Sequence, residues 1–466
     1  MVKRDPVTEK YDAIIIGSGQ AGNPLAKDLA NNGWKVAMIE RNYVGGSCIN
    51  YGCTPSKTMA ASAQTAHFIK ESFKYGIRSS SLKTNMKDVY QRKKQTVENF
   101  RKGTLKRLKS SENITLFRGE ASFTDVKTIK INTKNRRTVT ITSDKIFINT
   151  GGRPAIPSID GLEKISYLDS TSIMELKTLP KHLIILGGGY IGVEFGQMFK
   201  RFGSDVTIIQ RGKQLLNKED PDVAREVKKI LKEDGINVLL NSFVNKIEKK
   251  NNKIFLTVKT KLTEKNLSGS HLLLATGHKP NIEELNLAAA GVKTNERGYI
   301  NVNEKLETNI EGIYALGDVK GGQAFTHISF DDYRVVRDNL IHNKNKTTRG
   351  RMTPYTVFID PQLGRVGLNE MQAKEKGIEY AVAKMPMSYI ARANEVSQTR
   401  GIMKIIIDKK TEKILGCAIL GIEGGELMSM VQIAMMGNLK YSKLQEAIFT
   451  HPTLAESLNS VFANIQ

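Results

Sequence analysis

Apolar residues in this chain fall into short unbroken runs that end in glycine clusters and pass into stretches of helical period. Tyr11 to Ile16 (YDAIII) is such a run, of the length expected for a strand buried on both faces of a parallel sheet. It opens into Gly17-Ser18-Gly19-Gln20-Ala21-Gly22, a helical stretch follows to Asn31, and a second strand, Lys35 to Ile39, ends at Glu40. The same series returns later, as strand His182 to Leu186 (HLIIL), a loop at Gly187 to Gly192 (GGGYIG), and strand Val206 to Ile209. The step from Gly17 to Glu40 is 23 residues, as is the step from Gly187 to Gln210. Two further segments, Lys145 to Arg153 (KIFINTGGR) and His271 to Lys279 (HLLLATGHK), each run from a strand into Thr-Gly. They read as crossings between domains. Tyr314 to Val319 (YALGDV) is a strand ending in Gly-Asp. From about Arg349 the pattern changes to strands at Tyr355 to Phe358, Met403 to Asp408 and Ile414 to Leu420 with helices between, as in a mixed third domain.

Strand, GxGxxG, helix, strand and acid together make a dinucleotide site. Gly17 allows the tight turn, Gly19 lets a pyrophosphate approach the backbone, and Gly22 allows close helix–strand packing. The helix N-terminus attracts phosphate and Glu40 accepts from a ribose. Two such units on one chain imply two nucleotides. At the second, Gln210 stands where the acid would be, and Arg211 and Lys213 follow. A carboxylate there repels a 2′-phosphate, whereas a neutral amide beside two cations welcomes it, so NADPH is expected rather than NADH.

Composition narrows the rest. The 466 residues suggest about three domains, and 40% hydrophobic content is enough for packed cores. No run of 18 apolar residues exists, so no membrane span is expected. The opening MVKRDPVTEKYD lacks the apolar core of a signal peptide, and three cysteines make no disulfide scaffold, so a reducing, cytoplasmic setting is expected. The formal charge is +23, but the lysines are spread along the chain. The densest run, Gln91 to Lys109, sets Val97, Phe100, Leu105 and Leu108 at roughly helical spacing, as in a surface helix with one apolar face. Zinc-knuckle spacing and aromatic-interleaved RNA signatures are absent, so a solvated basic surface is expected and a nucleic-acid partner is not.

Cys48 and Cys53 lie in GGSCINYGCTPSK, directly after the first nucleotide unit. Five residues apart on a regular helix, their Cα atoms would sit beyond the roughly 7 Å a disulfide spans. A bridge needs an irregular turn, which Gly52 would permit. Lys57 adds positive charge that favours a thiolate. The alternatives are two unrelated reduced cysteines or half a metal site. Metal sites use tighter Cys-x2-Cys pairs with a matching second pair, so a redox pair is expected and no metal site. Cys417, alone in ILGCAILG, reads as a buried small hydrophobe. In FTHPTLAE, His451 precedes a proline and Glu456 is near enough to orient the imidazole as a proton carrier.

In this order, GSGQAG, GGSCINYGCTPSK, INTGGRP, GGGYIGVEFG, ATGHKPN, YALGDV and HPTLAE resemble the class I FAD-dependent pyridine nucleotide–disulfide oxidoreductases. Within that group the chain is most similar to the mercuric reductase-like flavoproteins, through FTHISFDDYRVV, PYTVFIDPQLGRVG and LGIEGGELM. The resemblance implies an α/β fold of two Rossmann-like domains, for FAD and NAD(P), plus a C-terminal α+β dimerisation domain. FAD would take residues 1–153 and 282–348, the nicotinamide nucleotide 154–281, and the interface 349–466. Gly17, Gly19, Gly22, Glu40, Ser47, Lys57, Ala121, Asp318 and Thr326 would contact FAD, with Thr150 and Gly151 also at the cofactor. Gly187, Gly189, Gly192, Arg211 and Gly277 would bind NADPH, and Tyr190 would gate the nicotinamide pocket. Lys57 and Glu194 would pair beside the flavin. Cys53 would face the flavin and Cys48 would exchange with substrate, while His451 and Glu456 would act on the disulfide of the partner subunit in a homodimer. Electrons would pass from NADPH through FAD to the Cys48–Cys53 disulfide and on to a small thiol-reactive substrate, as in mercuric-ion reduction.

Mercuric reductases carry a vicinal cysteine pair near the C-terminus, whereas no cysteine follows Cys417 here. Dihydrolipoamide dehydrogenases usually read His-x-His-Pro, where this chain has Phe449. A branch that reduces reactive oxidants such as hypothiocyanous acid, or copper(II), also lacks the terminal pair. The sequence leaves these substrates open. It also leaves two rivals to the disulfide relay: flavin electron transfer without the thiols, and a basic nucleic-acid-binding protein on a borrowed fold.

Overall fold

The computed structural model describes residues 9–79, 83–251, 253–261 and 263–465. It divides into two compact units. The first comprises residues 9–58, Gln91–Ala155 and Gly277–Arg351; the second holds the described residues of Met59–Tyr90, Ile156–Thr276 and 352–465.

In the first unit the apolar runs become the centre of an eight-stranded sheet. Its order is Glu9–Lys10, Thr138–Thr142, Thr128–Thr133, Ile114–Asp125, Val36–Glu40, Ala13–Ile16, Ile146–Ile148 and Ile313–Ala315. From Ile114–Asp125 onward neighbouring strands run parallel, with Ile14 opposite both Ala37 and Ile146. Every residue of Ala13–Ile16 and Val36–Glu40 is buried, which is why these strands read as continuous hydrophobic runs without alternation. The second half of Ile114–Asp125 turns to an antiparallel partner, Thr128–Thr133. The helix Gly22–Asn31 buries Gly22, Leu25, Ala26, Leu29 and Ala30, an i, i+3, i+4, i+7, i+8 face.

The basic run lies in the helix Met86–Lys109, with one correction. Met86, Lys93, Val97, Thr104 and Leu108 are buried along one stripe, while Phe100 is exposed. Residue 100 lies about 60° around the helix from Val97, off the centre of that stripe. The lysine at 93 and the threonine at 104 take the place expected of the aromatic.

In the second unit, Asn237–Leu239, Asp205–Ile209, His182–Leu186 and His271–Leu274 form a four-stranded parallel sheet. The helix Tyr190–Phe202 follows its glycine loop and ends at Gly203 in the left-handed region. A three-stranded antiparallel sheet, Phe243–Lys250, Lys253–Lys259 and Glu264–Gly269, belongs to the same segment. The C-terminal segment is a five-stranded antiparallel sheet in the order Tyr355–Val357, Gln362–Gly367, Ile414–Gly421, Ile402–Asp408 and Tyr380–Pro386. The helix Gly424–Met436 packs on its Gln362–Gly367 and Ile414–Gly421 strands.

The chain leaves the first unit after Ala155 and returns at Gly277, at the two Thr-Gly segments. There Gly152–Pro154 pairs antiparallel with His278–Pro280. Among the described residues no helix is long and apolar enough to cross a membrane.

The second unit buries the charge of a lysine among carboxylates. Lys404, 1% exposed, reaches Asp220 and Asp222 at 2.9 Å each and also Glu370. These carboxylates hold its pKa up against the opposing effect of burial. Removing one member of such a buried ion cluster leaves charge uncompensated. Lys404→Met is expected to destabilise the protein by about 3–5 kcal/mol, measured by urea unfolding.

Candidate functional site

The first glycine loop is shaped by an asparagine that the sequence reading passed over. Gly17 follows its strand with φ +101°, and a Cβ there would lie 2.3 Å from the Asn149 carbonyl oxygen. A Cβ on Gly19 would lie 2.8 Å from Asn149 Oδ1, and one on Gly22 would lie 2.4 Å from the Gly17 carbonyl oxygen. Asn149 Oδ1 accepts from the Gly22 N–H at 3.0 Å, and its Nδ2 donates to the Leu316 carbonyl at 2.9 Å. One buried amide thus ties the loop to two strand ends. The available signal was its position, a polar residue closing the apolar run Ile146–Ile148.

Glu40 is buried at the end of its strand. Its Oε2 accepts from Ser18 N (3.1 Å) and Ser18 Oγ (2.6 Å), and Oε1 accepts from Asn42 N (2.8 Å). A carboxylate oxygen has two lone pairs, so Oε1 retains capacity for a ribose hydroxyl. Gly45 N donates to the Ser18 carbonyl at 3.0 Å, and a Cβ on Gly46 would lie 2.6 Å from Gly19 Cα. The two glycine turns therefore lie backbone against backbone, in a cradle that side chains would fill. That geometry fits a dinucleotide phosphate of FAD.

The remaining FAD candidates sit around the same unit. Ala121 is buried in Ile114–Asp125. Thr150 Oγ1 donates to the Asn281 carbonyl at 2.7 Å, and Gly151 has φ +67° with open space at its Cβ position. Asp318 lies on the short helical turn Gly317–Lys320, and burial raises its pKa.

The cysteines lie on two helices. Ser47 and Cys48 belong to Gly46–Asn50, which stops at Tyr51; Cys53 opens Cys53–Lys70. The irregular turn is present, but Gly52 serves it by close approach and not by a left-handed φ, since its Cβ would lie 3.1 Å from the Ser47 carbonyl oxygen. The two sulfurs are unbridged in this structure. Cys48 donates its proton to Cys53, Thr326 Oγ1 lies 3.1 Å from Cys53 Sγ, and Lys57 supplies charge. Against partial burial these contacts lower the Cys53 thiol to about 6. The same bond, together with burial, holds the Cys48 proton firmly. Thr326, expected only at the flavin, is thus also a partner of the thiol.

One thiol of the reduced protein is therefore expected to be protonated below about pH 6 and to be a thiolate above it, where an ordinary cysteine titrates near 9. Thiolate absorbance against pH measures this, and Thr326→Val should move the midpoint upward. Cys417 is buried and its thiol is pushed up to about 12, as befits a core residue.

The second loop repeats the first. Gly187 has φ +110° and would place a Cβ 2.2 Å from the Ala275 carbonyl oxygen; a Cβ on Gly192 would strike the Gly187 carbonyl oxygen at 1.9 Å. Gly189 faces open space. Gln210 Oε1 accepts from Gly188 N at 3.0 Å, and Arg211 and Lys213 are exposed beside it. Gly277 has φ +124° with no neighbour near its Cβ position. Tyr190 opens the helix Tyr190–Phe202. On the same helix, Glu194 Oε1 accepts from Phe358 N at 2.8 Å. His451 and Glu456 are brought together, with Nδ1 2.9 Å from Oε2 and 3.1 Å from Oε1, on an exposed part of the C-terminal segment.

A model of the family described as pyridine nucleotide-disulphide oxidoreductase matches residues 11–333, and that of its dimerisation domain matches residues 353–461. The chain is 39% identical to the probable pyridine nucleotide-disulfide oxidoreductase RclA of Escherichia coli, over 98% of this chain and 100% of the relative. It is 35% identical to a mercuric reductase of Lysinibacillus sphaericus, over 97% of this chain and 82% of the relative. A solved structure described as the Cu(II) complex of the HOCl-induced flavoprotein disulfide reductase RclA from E. coli superposes with a TM-score of 0.90. It is 39% identical, with 98% of this chain and 99% of that one covered. The chain belongs to the pyridine nucleotide-disulphide oxidoreductase family of flavoproteins, with FAD and NAD(P)H as its cofactors and a dimerisation domain in its C-terminal segment.

Proposed function

We propose that this protein is an NADPH-dependent flavoprotein disulfide reductase that uses Cys48 and Cys53 to reduce a thiol-reactive oxidant or metal ion. The observation that carries the reading is the pair itself, a lowered Cys53 thiol hydrogen-bonded to a protonated Cys48 beside a dinucleotide cradle. When bound, FAD supplies a two-electron carrier between nicotinamide and disulfide. The chain's own residues do the rest. The dithiol gives up two electrons and two protons as its S–S bond forms. With hypothiocyanous acid, the products are thiocyanate, water and one proton. With copper(II), two ions become copper(I) and two protons are released.

Glu456 faces Nδ1 of His451, which places the ring proton on that nitrogen and leaves Nε2 to take the thiol proton. In the proposed homodimer His451 serves the partner subunit. The exposed Met430, Ile433 and Met436 along the helix Gly424–Met436 support a buried interface in this segment. Residues 1–153 and 282–348 are assigned to FAD, 154–281 to the nicotinamide nucleotide and 349–466 to the interface. The pairing of Lys57 with Glu194 and the gate role of Tyr190 belong to the same proposal.

The RclA structure is of a Cu(II) complex of an HOCl-induced enzyme, which favours copper(II) or a reactive oxidant as substrate. Mercuric ion is the second reading, supported by the mercuric reductase relative. Steady-state NADPH oxidation with copper(II), hypothiocyanous acid, mercuric ion and lipoamide separates them. The proposal expects turnover with one of the first three, and turnover with lipoamide alone would overturn it. For the nucleotide, Arg211→Ala is expected to raise KM for NADPH about tenfold, the worth of one charge-assisted hydrogen bond, and leave KM for NADH unchanged.

A further inference from the structure

Behind Tyr190 lies a buried polar chain that has no part in the relay described so far. The Tyr190 ring leans on that of Tyr355, with centroids 5.3 Å apart and planes tilted by 35°. Tyr355 Oη donates to Glu219 Oε1 at 2.5 Å. Glu219 is wholly buried, and its Oε2 lies 3.4 Å from Arg365 Nε. Arg365 is fixed in turn, because its Nη1 donates to the carbonyls of Val366 (2.8 Å), Gly367 (3.1 Å) and Cys417 (3.2 Å).

The backbone around Glu219 is tied to the nucleotide loops. Its N–H donates to the Leu216 carbonyl at 2.8 Å, and Leu216 N donates to the Gly188 carbonyl at 2.9 Å. Gln214 Nε2, one residue beyond Lys213, donates to the Glu219 carbonyl at 2.9 Å. One short segment therefore joins the glycine loop and the Arg211–Lys213 turn to the carboxylate that holds Tyr355.

We propose that Glu219 and Tyr355 are positioning residues for Tyr190, fixing the rest position of the ring over the nicotinamide site; this rests on the gate role given to Tyr190 above. The geometry explains why a tyrosine and a buried acid are used there. Phenylalanine at 355 would fill the same space but would lose the hydroxyl bond to Glu219 that helps fix the ring against which Tyr190 leans. Burial and the nearby carboxylate raise Tyr355, and burial raises Tyr190 to about 12, so both hydroxyls keep their protons and Tyr355 remains the donor.

The test is a double-mutant cycle on the holoenzyme, with Tyr355→Phe, Tyr190→Ala and the pair. Two quantities are read: the stopped-flow rate of enzyme reduction by NADPH, and the NADP+ dissociation constant from the flavin difference spectrum. Tyr355→Phe is expected to slow reduction about tenfold, the size of a coupling between contacting side chains. It should cause no further loss when Tyr190 is already alanine. Reoxidation of the reduced enzyme by substrate should be unchanged, which a general loss of structure would not leave intact. An undiminished rate in Tyr355→Phe, or equal slowing in both backgrounds, overturns the positioning role while the gate stands. If Tyr190→Ala alters neither the rate nor NADP+ binding, the gate reading fails and the positioning role fails with it.

Discussion

Cys48→Ser is expected to lower substrate reduction by at least about three orders of magnitude while the purified protein remains yellow. The glycine cradle proposed to take the FAD phosphates, built from Gly17, Gly19, Gly22, Gly45, Gly46 and Asn149, does not include the cysteine side chain. The thiol is needed because a single remaining sulfur cannot close a disulfide, so the two-electron step has no product. A serine hydroxyl still donates to Cys53, so the depressed thiol should survive and the variant should keep its thiolate absorbance near neutral pH. Cys53→Ser should lose both turnover and that absorbance. Full turnover in Cys48→Ser would instead indicate flavin electron transfer to oxygen or a second nucleotide, with the thiols dispensable.

His451→Ala should cost about 10²–10⁴-fold in turnover, the usual range for a positioned acid–base group. Glu456→Gln should cost less, because an amide retains an oxygen to accept from Nδ1. In the proposed homodimer, the His451→Ala and Cys48→Ser chains complement each other. A mixed dimer then holds one intact site built from two chains, and coexpression should restore up to about a quarter of wild-type turnover per chain from random pairing of subunits. Failure of complementation, with mixed dimers shown to form, would place the histidine in its own subunit's chemistry or outside catalysis.

Much of this was legible in the sequence because it is local. The strand–glycine–helix units are encoded within 23 residues each, where buried parallel strands show as unbroken apolar runs and glycines such as Gly17, Gly22, Gly187 and Gly192 mark contacts below 3 Å. The His451–Glu456 pair, five residues apart, was legible for the same reason. What escaped depends on distant residues. Asn149 meets Gly22 across 127 positions, and Tyr355 meets Glu219 across 136, so neither leaves a spacing signal. Phe100 was misplaced because an apolar residue to one side of a helical stripe, about 60° around from Val97, looks the same in sequence as one on it. Substrate identity is another matter, since a dithiol accepts any soft electrophile that reaches it.

Anaerobic titration of the oxidised enzyme with NADPH tests the central claim most directly. The account predicts that the first equivalent produces two titratable thiols and a long-wavelength thiolate band, with the flavin still largely oxidised. Bleaching of the flavin by the first equivalent, with no such band and no new thiols, would contradict it.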